Sequence, residues 1–183
     1  LTARAAPSPH LLAHLDALRE AAGLGPVVDL ACGRGRHALV AAEAGIPVVA
    51  IDRNETFLRE LQAAARTGSL PVAPVRADLE TRHGLPLARD SCGAILVFRY
   101  LFRPIAGEIA GALRPGGLLL YETFTIHQKE LGQGPSNPAF LLREGELASL
   151  FAGLDVQESW EGWSPEPQPA ALARLVARRP ASA

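Results

Sequence analysis

The sequence predicts an α/β domain: a doubly wound, mostly parallel seven-stranded sheet with helices on both faces. Short apolar, β-rich runs at 27–31, 48–52, 72–78, 92–100 and 117–124 alternate with helical stretches around 36–45, 55–67 and 104–114. Such alternation builds a parallel sheet covered on both sides. The first run breaks into the glycine turn "ACGRG" that opens a helix, and the second ends in an aspartate, Asp52. Downstream, "REGELASLF" reads as one more helix, and "DVQESWEGW" and "AALARLVARR" supply two closing strands. With no internal repeat and no linker, the expectation is one domain over 1–183: an N-terminal helix (1–24), a core (25–124), and a long loop with closing strands (125–183).

Each element has local reasons. In "SPHLLAHLDALREAAG" Ser8 is placed to cap a helix and Pro9 suits its first position. Leu11, Leu12, Leu15 and Leu18 form one face, and Gly23 ends it. His10 and His14 share that helix at i, i+4, but no third ligand accompanies them, so a surface pair is expected rather than a metal site. The stretch from Thr125 to Leu142 carries Gly132, Gly134, Pro135 and Pro138 and is long for a connection, as loops that cover a site are. Trp160 and Trp163 are expected to pack in the core. The proline-rich "SPEPQPA" reads as the loop joining the last two strands.

Bulk properties narrow the function. A chain of 183 residues buries a substantial core without metal or disulfide staples. Its formal charge of -1 gives no general field for a polyanion or an anionic membrane. Cys32 and Cys92 are too few for a disulfide framework and fit a reducing compartment. No leader pattern or membrane-length apolar run is visible. A cytoplasmic protein acting on a small molecule is expected, with a short basic cluster, Arg174, Arg178 and Arg179, as the one feature suited to RNA.

In a doubly wound sheet, ligands sit beyond the carboxyl ends of the strands. Gly33 and Gly35 would bare the backbone there, next to unpaired N–H groups of the following helix. Asp52, ending the next strand, has two oxygens for the two hydroxyls of a ribose. Gly33, Gly35 and Ala38 also satisfy G-x-G-x-x-A, the dinucleotide fingerprint, which keeps a nicotinamide-dependent oxidoreductase open. Asp29 argues against it. An acid inside the first strand suits a cofactor with an amine and a sulfonium better than a pyrophosphate, and Asp78 offers an acceptor for the amine of adenine.

"VVDLACGRGRHAL" resembles the first motif of class I S-adenosylmethionine-dependent methyltransferases, of the form D-x-x-C-G-x-G. "AID" at 50–52 resembles their ribose motif, "RADLE" at 76–80 their adenine motif, and "ALRPGGLLLYETF" at 112–124 their turn into the fifth strand. The "CGRGRHAL" form is similar to tellurite-resistance-type methyltransferases. The resemblance implies that the backbone from Ala31 through Cys32 and Gly33 to Gly35 holds the methionine portion of the cofactor, with Asp29 at its amine. It further implies Asp52 at the ribose, Arg53 and Asn54 flanking the adenine, Asp78 and Leu79 completing that pocket, and Phe98 with Arg99 near the sulfonium. S-adenosylhomocysteine is the implied product.

Methyl transfer from a sulfonium needs alignment more than a base. A base is required only for an acceptor protonated at working pH, not for an anionic or chalcogen nucleophile. Arg99, Tyr100 and Arg103 in "FRYLFR" follow the fourth strand, where arginines suit an anionic acceptor. Glu122, Thr123 and His127 are expected after the fifth strand, with His127 the base candidate by residue type. The 125–142 loop is read as the acceptor-site lid. A non-catalytic S-adenosylmethionine-binding protein is the alternative outside enzymes.

Overall fold

The computed structural model describes residues 6–165 and 168–181. Seven strands form one sheet: β1 Val27–Leu30, β2 Val48–Asp52, β3 Val72–Arg76, β4 Cys92–Phe98, β5 Leu113–Phe124, β6 Asp155–Ser164 and β7 Ala170–Arg178. Their order is β3-β2-β1-β4-β5-β7-β6, as expected of a doubly wound sheet. β1 to β5 run parallel, and β7 pairs antiparallel with both β5 and β6. The strand order therefore reverses between β1 and β4, and the crevice beyond their carboxyl ends is the natural ligand position.

The side chains of β4 show why this run needs cover on both faces. Ala94, Leu96 and Phe98 enter one apolar cluster with Leu18, Leu39 and Leu61 from α2 Leu15–Ala22, α3 Arg36–Glu43 and α4 Glu55–Thr67. Ile95 and Val97 enter the opposite cluster with Ile109, Leu147 and Phe151, contributed by α5 Ala106–Ala112, α6 Glu146–Leu150 and the residue after it. The two-residue alternation of a strand delivers both layers from one sequence run.

Several local expectations are corrected. The N-terminal helix is two: α1 Pro9–Ala13, capped by Ser8 as expected, and α2. His14 separates them. Its ring nitrogen Nδ1 lies 2.8 Å from the His10 carbonyl, the group a continuing helix would give to the His14 amide, and that amide turns to Leu11 O instead. His10 is buried, edge-on to His14, so the pair is not a surface one. Leu12 is exposed rather than part of the apolar face. β5 starts at Leu113, before the "GLLLYETF" run, because Arg114–Gly117 loops out between the Cys92 and Ala94 pairings. Glu122 and Thr123 lie inside β5, not after it, opposite Arg174 and Ala173.

Trp160 and Trp163 are exposed, not core, because β6 is the outer strand and, of the two closing strands, β7 is the one covered on both faces. The Trp160 ring is covered in part by the Arg174 guanidinium, 4.7 Å from its centroid. The basic trio offers no free patch: Arg174 bonds Glu122 and Ser164, Arg178 bonds Gly116 O and Glu20, and Arg179 bonds Gly111 O and pairs with Asp90. Of the proline-rich 164–170 connection, positions 166 and 167 lie outside the described residues.

Candidate functional site

β1 ends at Leu30, and the next residue, Ala31, takes a left-handed backbone with φ 53°. β4 ends at Phe98, and its successor Arg99 does the same at φ 61°. Two non-glycine residues thus hold a costly conformation just past the ends of the neighbouring strands β1 and β4, where the strand order switches, the kind of stored strain that gathers at working sites. Gly33 and Gly35 follow at φ 56° and 72°, and Gly35 begins α3.

The two glycines do different work. A Cβ on Gly33 would meet nothing within 4 Å, so this backbone faces open space. A Cβ on Gly35 would strike the Leu61 side chain, so that position serves packing of the turn against α4. The expectation that both glycines bare the backbone to a ligand holds in geometry for Gly33 alone. Cys32 places its thiol toward Gly33 O at 3.6 Å, and burial holds it protonated, well above its ordinary range.

Asp52 ties the turn to β2. One carboxylate oxygen accepts the Gly33 amide at 2.8 Å and the other the Asn54 amide at 2.8 Å, which leaves each oxygen a further lone pair. Asp52, Arg53, Asp78, Leu79, Ala31 and Tyr100 line one cleft of about 290 Å3, completed by Phe140 from the long loop. Asp78 accepts the Glu80 amide at 2.9 Å and thereby shapes its own turn. Asn54 is the N-cap of α4, its side chain accepting the Phe57 amide, and it does not line this cleft.

Asp29 is 1% exposed, and its Oδ2 is buried with no hydrogen-bond partner. Burial pushes its pKa up to about 7, against the opposing pull of the Ala38 amide and the Arg36 charge. An unpaired carboxylate oxygen in the interior is expensive to keep, which makes it the least explained atom of the fold.

On the other side of the glycine turn, Ser8, Arg99 and Arg174, to which the sequence reading gave separate roles, converge on Glu122. Glu122 is fully buried and accepts the Ser8 hydroxyl at 2.7 Å and Arg174 Nε at 2.8 Å, with Arg99 Nε 3.4 Å from its other oxygen. His37 stacks on Phe98 with centroids 3.9 Å apart and accepts the Ser8 amide at 3.2 Å. Burial lowers its pKa to about 2, so it stays neutral. Phe98 is therefore enclosed between His37 and His10 and does not line the Asp52 cleft. The only sequence signal for this cluster was an acid inside an apolar strand, the same signal that singled out Asp29.

Arg103 and His127 do not join the site as expected. Arg103 grips Glu146 through Nε at 2.6 Å and Nη2 at 2.9 Å and bonds the Ala139 and Leu141 carbonyls, so it pins the long loop. That loop is built from two 3-10 turns, Ile126–Leu131 and Pro138–Phe140, and its Leu142 bridges back to Thr125. His127 is exposed, pairs with Glu130 at 2.7 Å, and lines a separate hollow with Glu161 and Trp163. Tyr100 is half-buried in the Asp52 cleft, and burial, with Glu80 beside it, raises its pKa and keeps the phenol protonated. Among the described residues there is no cluster of three or more metal-ligating side chains, and no helix is long and apolar enough to cross a membrane.

Comparison with known proteins now bears on this geometry. Residues 27–117, from β1 to the turn before the straight part of β5, match the family described as a methyltransferase domain. Over these residues the chain belongs to the methyltransferase family. Curated relatives from Mycobacterium bovis and Mycobacterium tuberculosis, both described as uncharacterized proteins, are 32% identical over 107 residues. That stretch is 54% of this chain and spans 38% of the relatives' length.

Among solved structures, TehB from Haemophilus influenzae aligns with TM-score 0.70 at 20% identity, covering 90% of this chain and 61% of that one. An S-adenosylmethionine-dependent methyltransferase from Mesorhizobium loti aligns with TM-score 0.67 at 21% identity, covering 91% and 98%. The 4+2 cyclase SpnF shares the architecture with TM-score 0.70 at 18% identity, covering 92% and 80%. At these identities the likeness establishes the Rossmann-like class I methyltransferase fold, and the cyclase shows that the fold alone does not fix the reaction.

Proposed function

We propose that the domain binds S-adenosylmethionine and transfers its methyl group to a small-molecule acceptor of the anionic or chalcogen kind by in-line displacement, releasing S-adenosylhomocysteine. The observation that carries this reading is Asp29 Oδ2, buried and unpaired beside a glycine turn whose Gly33 backbone faces open space. The amine of a methionyl group satisfies such an oxygen; a pyrophosphate would add a like charge next to it. This disfavours the dinucleotide reading of Gly33, Gly35 and Ala38.

The residues present fit the cofactor. Asp29 would take its amine, the Ala31–Gly35 backbone its methionine portion, and the free lone pairs of Asp52 its ribose. Arg53, Asp78 and Leu79 line the cleft suited to the adenine. When bound, the cofactor supplies a methyl group on a good sulfur leaving group. The chain's contribution is to orient and to exclude water: Phe140 and Tyr100 close the adenine side, and Arg103 holds the Phe140 turn in place. Neither base candidate is placed to act. Tyr100 remains a neutral phenol and His127 lies in another hollow, which favours an acceptor whose nucleophile is already deprotonated. Arg99, near the switch point, acts electrostatically.

Thermal unfolding with S-adenosylhomocysteine, S-adenosylmethionine or NADH tests this. A ligand at about 100 times its Kd stabilises by roughly 2.7 kcal/mol, a midpoint rise of about 5 to 11 degrees at this size. A rise with the sulfur nucleotides alone is expected; a rise with NADH alone overturns the reading. Binding without methyl transfer to any of a broad acceptor panel would favour a non-catalytic S-adenosylmethionine-binding protein.

A further inference from the structure

A second cavity, about 400 Å3, opens on the β4–β5 side of the glycine turn and is lined by Arg36, Arg99, Phe124, Gln128, Gln133 and Gly134. Among the described residues, cationic groups outnumber acidic ones around it. Three guanidiniums, Arg36, Arg99 and Arg174, surround two carboxylates, Asp29 and Glu122. Glu122 spends one oxygen on Ser8 and Arg174, and its other oxygen and Arg99 Nε lie 3.4 Å apart without forming a hydrogen bond. The Arg99 side chain is only 18% exposed, lies 4.5 Å over the Phe124 ring, and its buried Nε has no hydrogen-bond partner among the described residues. Arg36 donates one long bond, 3.4 Å, to Ala6 O. Burial lowers the Arg99 pKa against the pull of Glu122, with the charges of Arg36 and Arg174 adding to burial, and a partly desolvated guanidinium whose fork is not bonded suits an anion.

We propose that Arg36 and Arg99 form an anion subsite that anchors a carboxylate on the acceptor, so that the substrates of this domain are small organic carboxylates. The inference rests on the methyltransferase reading and deepens it. A carboxylate presents two coplanar oxygens to the guanidinium fork. The Phe124 ring and the Gln128 and Gln133 side chains offer an apolar and uncharged surround for the rest of a small molecule, in a cavity of the size small ligands occupy. The anchor is separate from the reacting atom, so it selects the acceptor without becoming its leaving group or its base.

The test uses benzoate and its neutral isostere benzamide, observed by ligand-detected NMR against the full chain saturated with S-adenosylhomocysteine. Benzoate should bind and benzamide should not. In Arg99→Gln and Arg36→Gln, benzoate affinity should fall about tenfold or more, the loss expected for a charge-assisted hydrogen bond. Arg99→Lys, which keeps the charge facing Glu122 but lacks the fork, should fall to an intermediate value. Far-UV circular dichroism of each variant reports folding independently of either ligand and should match that of the parent. Equal binding of benzoate and benzamide overturns the subsite. So does a fall in S-adenosylhomocysteine affinity with benzoate unchanged, which would assign the arginines to the cofactor's own carboxylate. If the parent chain fails to bind S-adenosylhomocysteine, the methyltransferase reading itself falls, an outcome distinct from bound cofactor with indifferent benzoate.

Discussion

The Leu61 side chain fills the space that a Cβ on Gly35 would need, while the same atom on Gly33 would enter open space. Both glycines hold left-handed backbones, so alanine at either is strained by about 1–2 kcal/mol. At Gly35 an overpacking cost of about 1–3 kcal/mol adds to it. Urea unfolding should therefore show Gly35→Ala losing more stability than Gly33→Ala. Cofactor titration should show the reverse order, with Gly33→Ala losing more affinity than its stability change explains.

Asp29 should leave a signature in the pH dependence of stability. Its folded pKa, about 7, lies above its ordinary value of 3.8, so between these values the folded state holds a proton the unfolded chain has lost. Its contribution is therefore fullest below about pH 4 and is lost as pH rises through 7. Comparing Asp29→Asn with the parent by urea unfolding from pH 4 to 8 should show a difference that grows with pH, by a few kcal/mol at most. An unchanged difference across that range would refute the raised pKa.

The buried imidazoles act in the opposite sense. Burial lowers His10 to about 4 and His37 to about 2, both below the ordinary value of 6.5. Below pH 6.5 the unfolded chain takes up protons that the folded chain refuses, so their contribution to stability falls with acidification. His37→Gln should flatten the acid limb of stability between about pH 6.5 and 4. An acid limb as steep as the parent's would locate the lost protons elsewhere.

Removing the Glu122 carboxylate should be among the costliest single changes in the chain. Glu122→Gln leaves Arg174 and Arg99 around a neutral amide and should cost about 3–5 kcal/mol, the usual penalty for orphaning a buried charge. Ser8→Ala removes both the cap of α1 and a donor to Glu122, and should cost about 1–3 kcal/mol. A double-mutant cycle should give a coupling between the two positions; additivity would mean that the 2.7 Å bond contributes nothing.

Arg103 ties the loop, and its loss should be visible as motion. Hydrogen bonding to Arg103 holds the Glu146 carboxyl down at about 2, so this tether stays intact through the physiological range and weakens only in strong acid. In Arg103→Ala, amide exchange across 132–142 should accelerate while the strands keep their protection. S-adenosylhomocysteine should dissociate faster, because Phe140 is no longer fixed at the mouth of the Asp52 cleft. Unchanged exchange would mean that the Thr125–Leu142 bridge alone orders the loop.

The sequence by itself determined the elements and their layering, because these follow from local chemistry: the two-residue period of β4, the cap at Ser8, the turn at Gly33, and the acids ending β2 and following β3. It also singled out Asp29, since an ionisable side chain inside an apolar run is a local anomaly. It left undecided which of two glycines faces a ligand, because Leu61 reaches Gly35 from another helix. It overrated Arg103 and His127, whose partners Glu146 and Glu130 take up their charges, it missed Arg36 and His37, and it read Arg174 as part of a surface basic cluster. Those three acquire meaning only around Glu122, and that meeting of α3, β4, β5, β7 and the N-terminal segment is made by the packing of distant segments, where charge, burial and pairing are set by neighbours the linear order does not name.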